Sequence, residues 1–132
     1  MDLTEQAREI FEGDRFAREA TGIVIEKADV HYARCSLNLE PKHLNVRGAV
    51  MGGVIFTLAD FAFAVAANMG NSPTVTLSSS IQYLNASKGE RLIAETCCEK
   101  EGKSTCCYTL RIRDELGTEV AAVTSVGFHM EE

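Results

Sequence analysis

Positive charge is in short supply along this chain. Its 13 Lys and Arg face 19 Asp and Glu, and a formal net charge of -6 argues against nucleic acid or an anionic membrane as the main partner. A secretory signal is missing as well: no basic segment followed by an apolar run opens the sequence, so the expected location is cytoplasmic. Metal-ligand patterns are lacking. The five cysteines, Cys35, Cys97, Cys98, Cys106 and Cys107, show no CxxC spacing, and their odd number does not suit a small secreted disulfide framework. His31, His43 and His129 have neither a ligand spacing nor a serine or cysteine elbow nearby, which sets aside metal catalysis and hydrolase triads. No metal and five reduced thiols are the expectations.

The most telling shortage is of charge between Arg47 and Lys88, where Asp60 stands alone in the run VMGGVIFTLADFAFAVAANMG. An ionised carboxylate among apolar residues is costly unless compensated, so Asp60 is better explained by chemistry than by stability. The stretch from Val50 to Met69 approaches the ~20 residues of a membrane span. Asp60 at its centre, its many alanines and the lack of a flanking Lys/Arg cluster point instead to a helix that a sheet covers on most sides. With 132 residues, 45% of them hydrophobic, the chain reads as one domain over residues 1–132.

Leu3, Ala7, Ile10 and Phe11 have helical spacing with Thr4 as a cap, and Gly13 interrupts them. IVIEKADV and HYARCSLNL read as two strands that end at Pro41. The aperiodic stretch Lys42 to Ala49 is a loop leading into a helix that starts near Gly52 and stops at Gly70, Asn71 and Pro73. Four strands follow, TVTLSSSIQYL, RLIAETCCEK, KSTCCYTLRIRD and TEVAAVTSVGFHM. In the third of these Cys106, Tyr108, Leu110 and Ile112 share a face, with Thr109, Arg111 and Arg113 on the other. A two-residue turn at Glu101 and Gly102 would set Cys97 opposite Cys106, and strand alternation would keep the four hairpin thiols from converging on one metal. Short sequential turns predict an antiparallel meander that curls around the helix. The expected class is α+β, a hotdog fold: a curled antiparallel sheet wrapped around one long central helix.

The segment HLNVRGAVMGGVIFTLAD resembles the signature of the hotdog thioesterases of the phenylacetate-pathway (PaaI-type) class, in which a loop Asn, a His-Gly-Gly helix start and a later Leu-Ala-Asp recur. Asn45, Met51 and Asp60 keep the family's spacing of six residues from Asn to His and nine from His to Asp. The departure is Met51, which stands where the family has His and offers no imidazole. Where that His only orders the helix start, Met51 leaves the backbone donors in place; where it acts directly, this chain is a weakened enzyme or a non-catalytic acyl-coenzyme A or acyl carrier protein binder. The resemblance implies an acyl-coenzyme A thioesterase without further cofactor, with the Gly52 N–H as oxyanion donor and Thr76 helping to orient the attacking water. It also implies paired subunits, homodimers often paired again into tetramers.

The chemistry agrees with those roles. A thioester carbonyl gains negative charge on attack, and the free N–H groups and dipole of a helix start are suited to stabilise it. Gly52 and Gly53 let a substrate approach that backbone closely. Asp60, read as lying among Phe56, Phe61 and Phe63, would have a raised pKa and act as base or as nucleophile. Asn45 could hold a water or the carbonyl, or be an ordinary turn residue. Phe56 and its neighbours could line a short- or medium-chain or an aromatic acyl pocket, and Arg47, Lys88, Arg91 and Lys103 could meet the phosphates of coenzyme A. His43 is the one candidate for a hydratase's acid or base. Eight residues separate Gly52 from Asp60, about 12 Å along a helix, so one substrate carbon cannot meet both from the same chain and the active site is expected at a dimer interface.

Overall fold

The computed structural model describes residues 2–70 and 73–131. Helix α1 covers Leu3–Ile10, and its cap is Asp2, not the expected Thr4: the Asp2 carboxylate accepts from the Glu5 N–H at 2.8 Å. Thr4 instead bridges to the Ala28 backbone with its hydroxyl. After Gly13 the chain makes a further helical turn, Phe16–Ala20, before strands β1 (Val24–Asp29) and β2 (Tyr32–Asn38). His31, expected in a strand, lies in the turn between them at φ 60.

A short turn at Pro41–His43 leads to the long helix α2, Gly52–Asn68, and then to β3 (Thr74–Tyr83), β4 (Arg91–Glu101), β5 (Thr105–Asp114) and β6 (Glu119–His129). Of the expected stop signals for α2, Gly70 has φ +79 and Asn71 lies outside the described residues. No described helix is long and apolar enough to cross a membrane. The six strands form one antiparallel sheet in the order β1-β2-β4-β5-β6-β3. The predicted meander therefore holds for β4, β5 and β6 but not for β3, which pairs with β6. The cause is the β3–β4 connection, which is a crossover and not a tight turn. Leu84 N–H donates to Val120, the Asn85 amide to Glu119, and the Lys88 N–H to the Asp114 carboxylate, so the chain steps across the ends of β6 and β5 to reach β4.

Asp114 anchors that crossover. Burial alone would raise its carboxyl, but N–H groups of Lys88, Thr118 and Gly89 donate to it at 2.8–2.9 Å and hold it well below the usual carboxylate range. In the β4–β5 hairpin, Cys97 faces Thr109 and Cys106 faces Glu101, because the loop is longer than two residues and a bulge lies between Cys98 and Lys100. All five cysteines are free.

Helix α2 rests in the curl of the sheet. Ile55, Leu58, Ala59, Ala62, Phe63, Val65 and Ala66 are buried, and the Phe63 ring meets Tyr108 of β5 edge-to-face at 5.4 Å. The alternation read for β5 is observed: Cys106, Tyr108, Leu110 and Ile112 are all within the core. One stripe of α2 stays outside the sheet's cover. Gly53, Phe56, Thr57, Asp60 and Ala64, spaced as one helical face, are exposed or half-buried.

Candidate active site

The start of α2 is built by its own loop. Met51 is extended at φ -63 and ψ 137; its N–H donates to the His43 carbonyl and its carbonyl accepts from Val54 at 3.0 Å. That leaves the N–H groups of Gly52 and Gly53 without an acceptor among the described residues, at the positive end of a 17-residue helix. Upstream, the Asn45 side-chain oxygen accepts from the N–H groups of Arg47 and Ala49, so its carbonyl is used to shape the loop. His43 is buried with both ring nitrogens engaged by backbone: Nδ1 accepts from the Glu40 N–H at 2.9 Å, and Nε2 donates to the Thr21 carbonyl at 2.8 Å. A neutral, fully hydrogen-bonded imidazole holds the loop and has no lone pair or proton left for a hydratase step.

A cavity of about 320 Å³ opens beside Gly52, walled by Ala49, Val50, Ile55, Tyr83, Leu84 and Ser87. The Tyr83 hydroxyl donates to the Gly52 carbonyl at 2.9 Å and so fixes the Gly52–Gly53 peptide. A Cβ on residue 52 would lie 3.0 Å from that hydroxyl, a tight contact that the exposed Tyr83 ring would have to relieve by shifting. Gly53 faces open space, so the chain's own packing does not require a glycine there. Tyr83 was not found from the sequence, since its partner is 31 residues away and only the strand register brings the two together.

Asp60 sits in a second cavity of about 320 Å³, with Asp14, Arg15, Phe16, Ala17, Thr57, Phe61 and Ala64. Its carboxyl is raised above the ordinary range, first by desolvation against these walls and then by the charge of Asp14. The surroundings differ from those expected. Phe61 lines this cavity, but Phe63 turns to the sheet, Phe56 is half-buried outside the cavity lining, and Phe16 from the N-terminal segment takes part instead. An i+3 neighbour on a helix is close to Asp60 in sequence, yet Phe63 is drawn inward by Tyr108.

The two cavities share no lining residue, so a single chain does not bring Gly52 and Asp60 to one point. Met51 exposes its side chain beside the helix start, while Thr76 lies exposed on β3 at the free edge of the sheet. Lys88 is exposed next to Ser87 on the rim of the first cavity. The Arg91 guanidinium is taken up by Glu26, which also pairs with Arg34 at 2.9 Å. Lys103 borders a third cavity, beside His129.

A helix laid in a curled six-stranded sheet, with free amides at its start and a carboxylate on its uncovered stripe, defines a class. Residues 47–121 match the model of the thioesterase superfamily, and the chain belongs to that family of hotdog-fold thioester hydrolases. Within it the chain is PaaI-type. It is 30% identical to the acyl-coenzyme A thioesterase PaaI of Escherichia coli over 118 residues, 89% of this chain and 84% of that protein. The solved E. coli PaaI structure superposes with a TM-score of 0.90 over 98% of this chain and 97% of that one, at 26% identity. A thioesterase of Streptococcus pneumoniae solved with coenzyme A gives 0.84 over 92% and 98%, also at 26%. A relative from Archaeoglobus fulgidus is 30% identical over 102 residues, 76% of this chain and 66% of its own length.

Proposed function

We propose that this chain hydrolyses acyl-coenzyme A thioesters carrying a short- or medium-chain or an aromatic acyl group, at a site shared by two copies. The carrying observation is the separation of the free Gly52 amide from Asp60, whose carboxyl is raised by the walls of its cavity, into two cavities of one subunit. The thioester oxygen would receive the Gly52 N–H in the first cavity, with Tyr83 keeping the adjoining peptide in place and Gly53 giving room. Asp60 of the partner subunit would then activate water or attack the carbonyl itself; its raised pKa strengthens it in either role. Asn45 and Thr76 are proposed to position the carbonyl and the water, Met51 to border the acyl group, and Phe56 to line its pocket.

Assembly has a physical motive. Strand β3 ends the sheet with Val75 and Leu77 exposed by 45% and 59%, and a free ten-residue edge of this kind is normally paired or covered. The uncovered stripe of α2 around Asp60 supplies a second surface for a copy of the chain. Coenzyme A is favoured as the thiol half because the likeness to the coenzyme A-bound S. pneumoniae thioesterase spans 92% of this chain. Lys88, which follows Ser87 of the first cavity's lining, and Arg47, two residues before Ala49, are proposed to meet its phosphates. Arg91 can serve there only by leaving Glu26.

The test is thiol release over a set of short-chain, medium-chain, long-chain and aromatic acyl-coenzyme A esters, with Asp60→Asn beside the native protein. On the best substrate the variant should lose roughly 10²–10⁴ in kcat with KM little changed. Near-native turnover by a folded Asp60→Asn protein would remove Asp60 from the mechanism.

A further inference from the structure

We propose that Glu101, Cys106 and His129 bind one divalent transition-metal ion of the zinc type at the end of the sheet remote from Gly52. The sequence shows no such spacing, because the three ligands come from the ends of three strands. Glu101 of β4 faces Cys106 of β5, Cys106 faces Gly127 of β6, and His129 follows two residues on along the same side of β6. One ligand atom from each lies within 4.8 Å of the other two. The donors are a carboxylate oxygen, a sulfur and an imidazole nitrogen, the set that zinc takes, and a thiolate with a carboxylate would neutralise a divalent ion.

Hydrogen bonding around the cluster prepares these donors. Thr74 Oγ1 lies 3.3 Å from the Ala67 carbonyl and 2.7 Å from His129 Nδ1. With the Thr74 hydroxyl turned to the Ala67 carbonyl, the tautomer protonated at Nδ1 donates to Thr74 and leaves the Nε2 lone pair for the cluster; this is the tautomer the site would use. His129 Nε2 touches Glu101 Oε1, yet that oxygen is buried and receives no hydrogen bond. With side-chain exposures of 9% and 19% this contact is shielded from water, and either a proton or a metal ion held by both atoms would satisfy it. The other carboxylate oxygen accepts from the Tyr108 hydroxyl at 2.9 Å and lies 3.4 Å from His31 Nδ1, outer contacts that hold Glu101 in place.

Gly127 keeps the space beside the sulfur open. A Cβ there would lie 2.9 Å from Cys106 Sγ, from Phe63 and from Thr74. The third cavity, about 560 Å³ and lined by Lys103, Ser104, Phe128, His129, Met130 and Glu131, gives solvent a route to His129. Thr74 reaches Ala67 near the C-terminal end of α2, and 15 residues of helix put this cluster roughly 22 Å from the Gly52 amide. The rival occupant of the gap is a proton, which would make His129 and Glu101 a simple ion pair.

Metal-free reduced protein titrated with Co²⁺ separates the two. One equivalent per chain should bind with a thiolate-to-cobalt charge-transfer band, and Zn²⁺ should displace it. Cys106→Ser should abolish the band and Cys107→Ser should keep it, while His129→Gln and Glu101→Gln weaken affinity at least about 10-fold. No band at one equivalent, or a band that survives Cys106→Ser, overturns the site in favour of the ion pair. Zinc X-ray absorption on the unaltered protein gives an answer free of folding effects. One sulfur with nitrogen and oxygen neighbours supports the assignment; a shell without sulfur, or with several sulfurs, refutes it.

Discussion

The shared site can be tested by restoring activity from two dead proteins. Eight helical residues hold the Gly52 N–H and Asp60 about 12 Å apart, and they open into different cavities of one subunit. Asp60→Asn keeps the amide and loses the carboxylate. Gly52→Pro keeps the carboxylate and loses the N–H. The proline is placed where a helix tolerates it: residue 52 is the first helical position, and Met51 before it is already extended at ψ 137. Its ring will press on Tyr83, whose hydroxyl lies 3.0 Å from a Cβ at residue 52. Tyr83 is 53% exposed and can yield, and sedimentation checks that the variant still assembles.

Unfolded together in equal amounts and refolded, the two chains pair at random, and about half of the dimers are mixed. Each mixed dimer has one site with both groups intact and one with neither. Thiol release should therefore recover to about a quarter of the native rate per site, against parents lower by roughly 10²-fold or more. Native mass spectrometry of the mixture, with one chain isotopically labelled, counts the mixed dimers directly. If they form in the random proportion and the mixture stays as inactive as its parents, the two groups do not act across subunits and the mechanism fails.

Because burial and then Asp14 raise the Asp60 carboxyl, kcat/KM should fall with decreasing pH through a limb above the ordinary value of about 4, and Asp14→Asn should move that limb to lower pH. A limb indifferent to Asp14→Asn would assign it to another group. Asp114 has the opposite sign: its folded pKa lies below its unfolded one, so its contribution to stability is present above about pH 4 and is lost as pH falls toward the folded value. Asp114→Asn should cost on the order of 1–3 kcal/mol in denaturant unfolding at neutral pH, since an amide group would face backbone donors, and the acid loss of stability should shrink with it. Met51→His should fold normally and keep or raise activity, because the proposed oxyanion donor is backbone; a large loss of kcat would place Met51 in a pocket particular to this chain.

What could be read from the sequence was whatever depends on neighbours along the chain. The α2 boundary and the alternation of β5 follow from periodicity, whereas the isolation of Asp60 read from the sequence ends where Asp14 and Arg15 fold into its cavity. The chain's own crossover was hidden because Ser87 to Glu90 has turn composition; its partners are distant in sequence, Val120 for Leu84 and the Asp114 carboxylate, 26 residues away, for Lys88. The same limit explains Cys97, whose partner changed from Cys106 to Thr109 through a longer loop and a bulge that no residue pattern marks.

The groups around each proposed site residue depend on that long-range register. Asp14 and Phe16 reach Asp60 because the N-terminal segment folds onto α2, and Tyr83 reaches Gly52 because β3 pairs with β6 and not with β4. Had β3 joined β4, as the turn pattern predicts, the sheet order itself would differ, and β3 would not end it with a free edge. The departure from the simple meander thus places Tyr83 against the peptide that follows the proposed oxyanion donor and leaves β3 available to a second copy. One pairing choice, fixed by backbone bonds from Leu84 and Asn85 to β6 and its start, links the helix start to the surface that would bring in the partner's carboxylate.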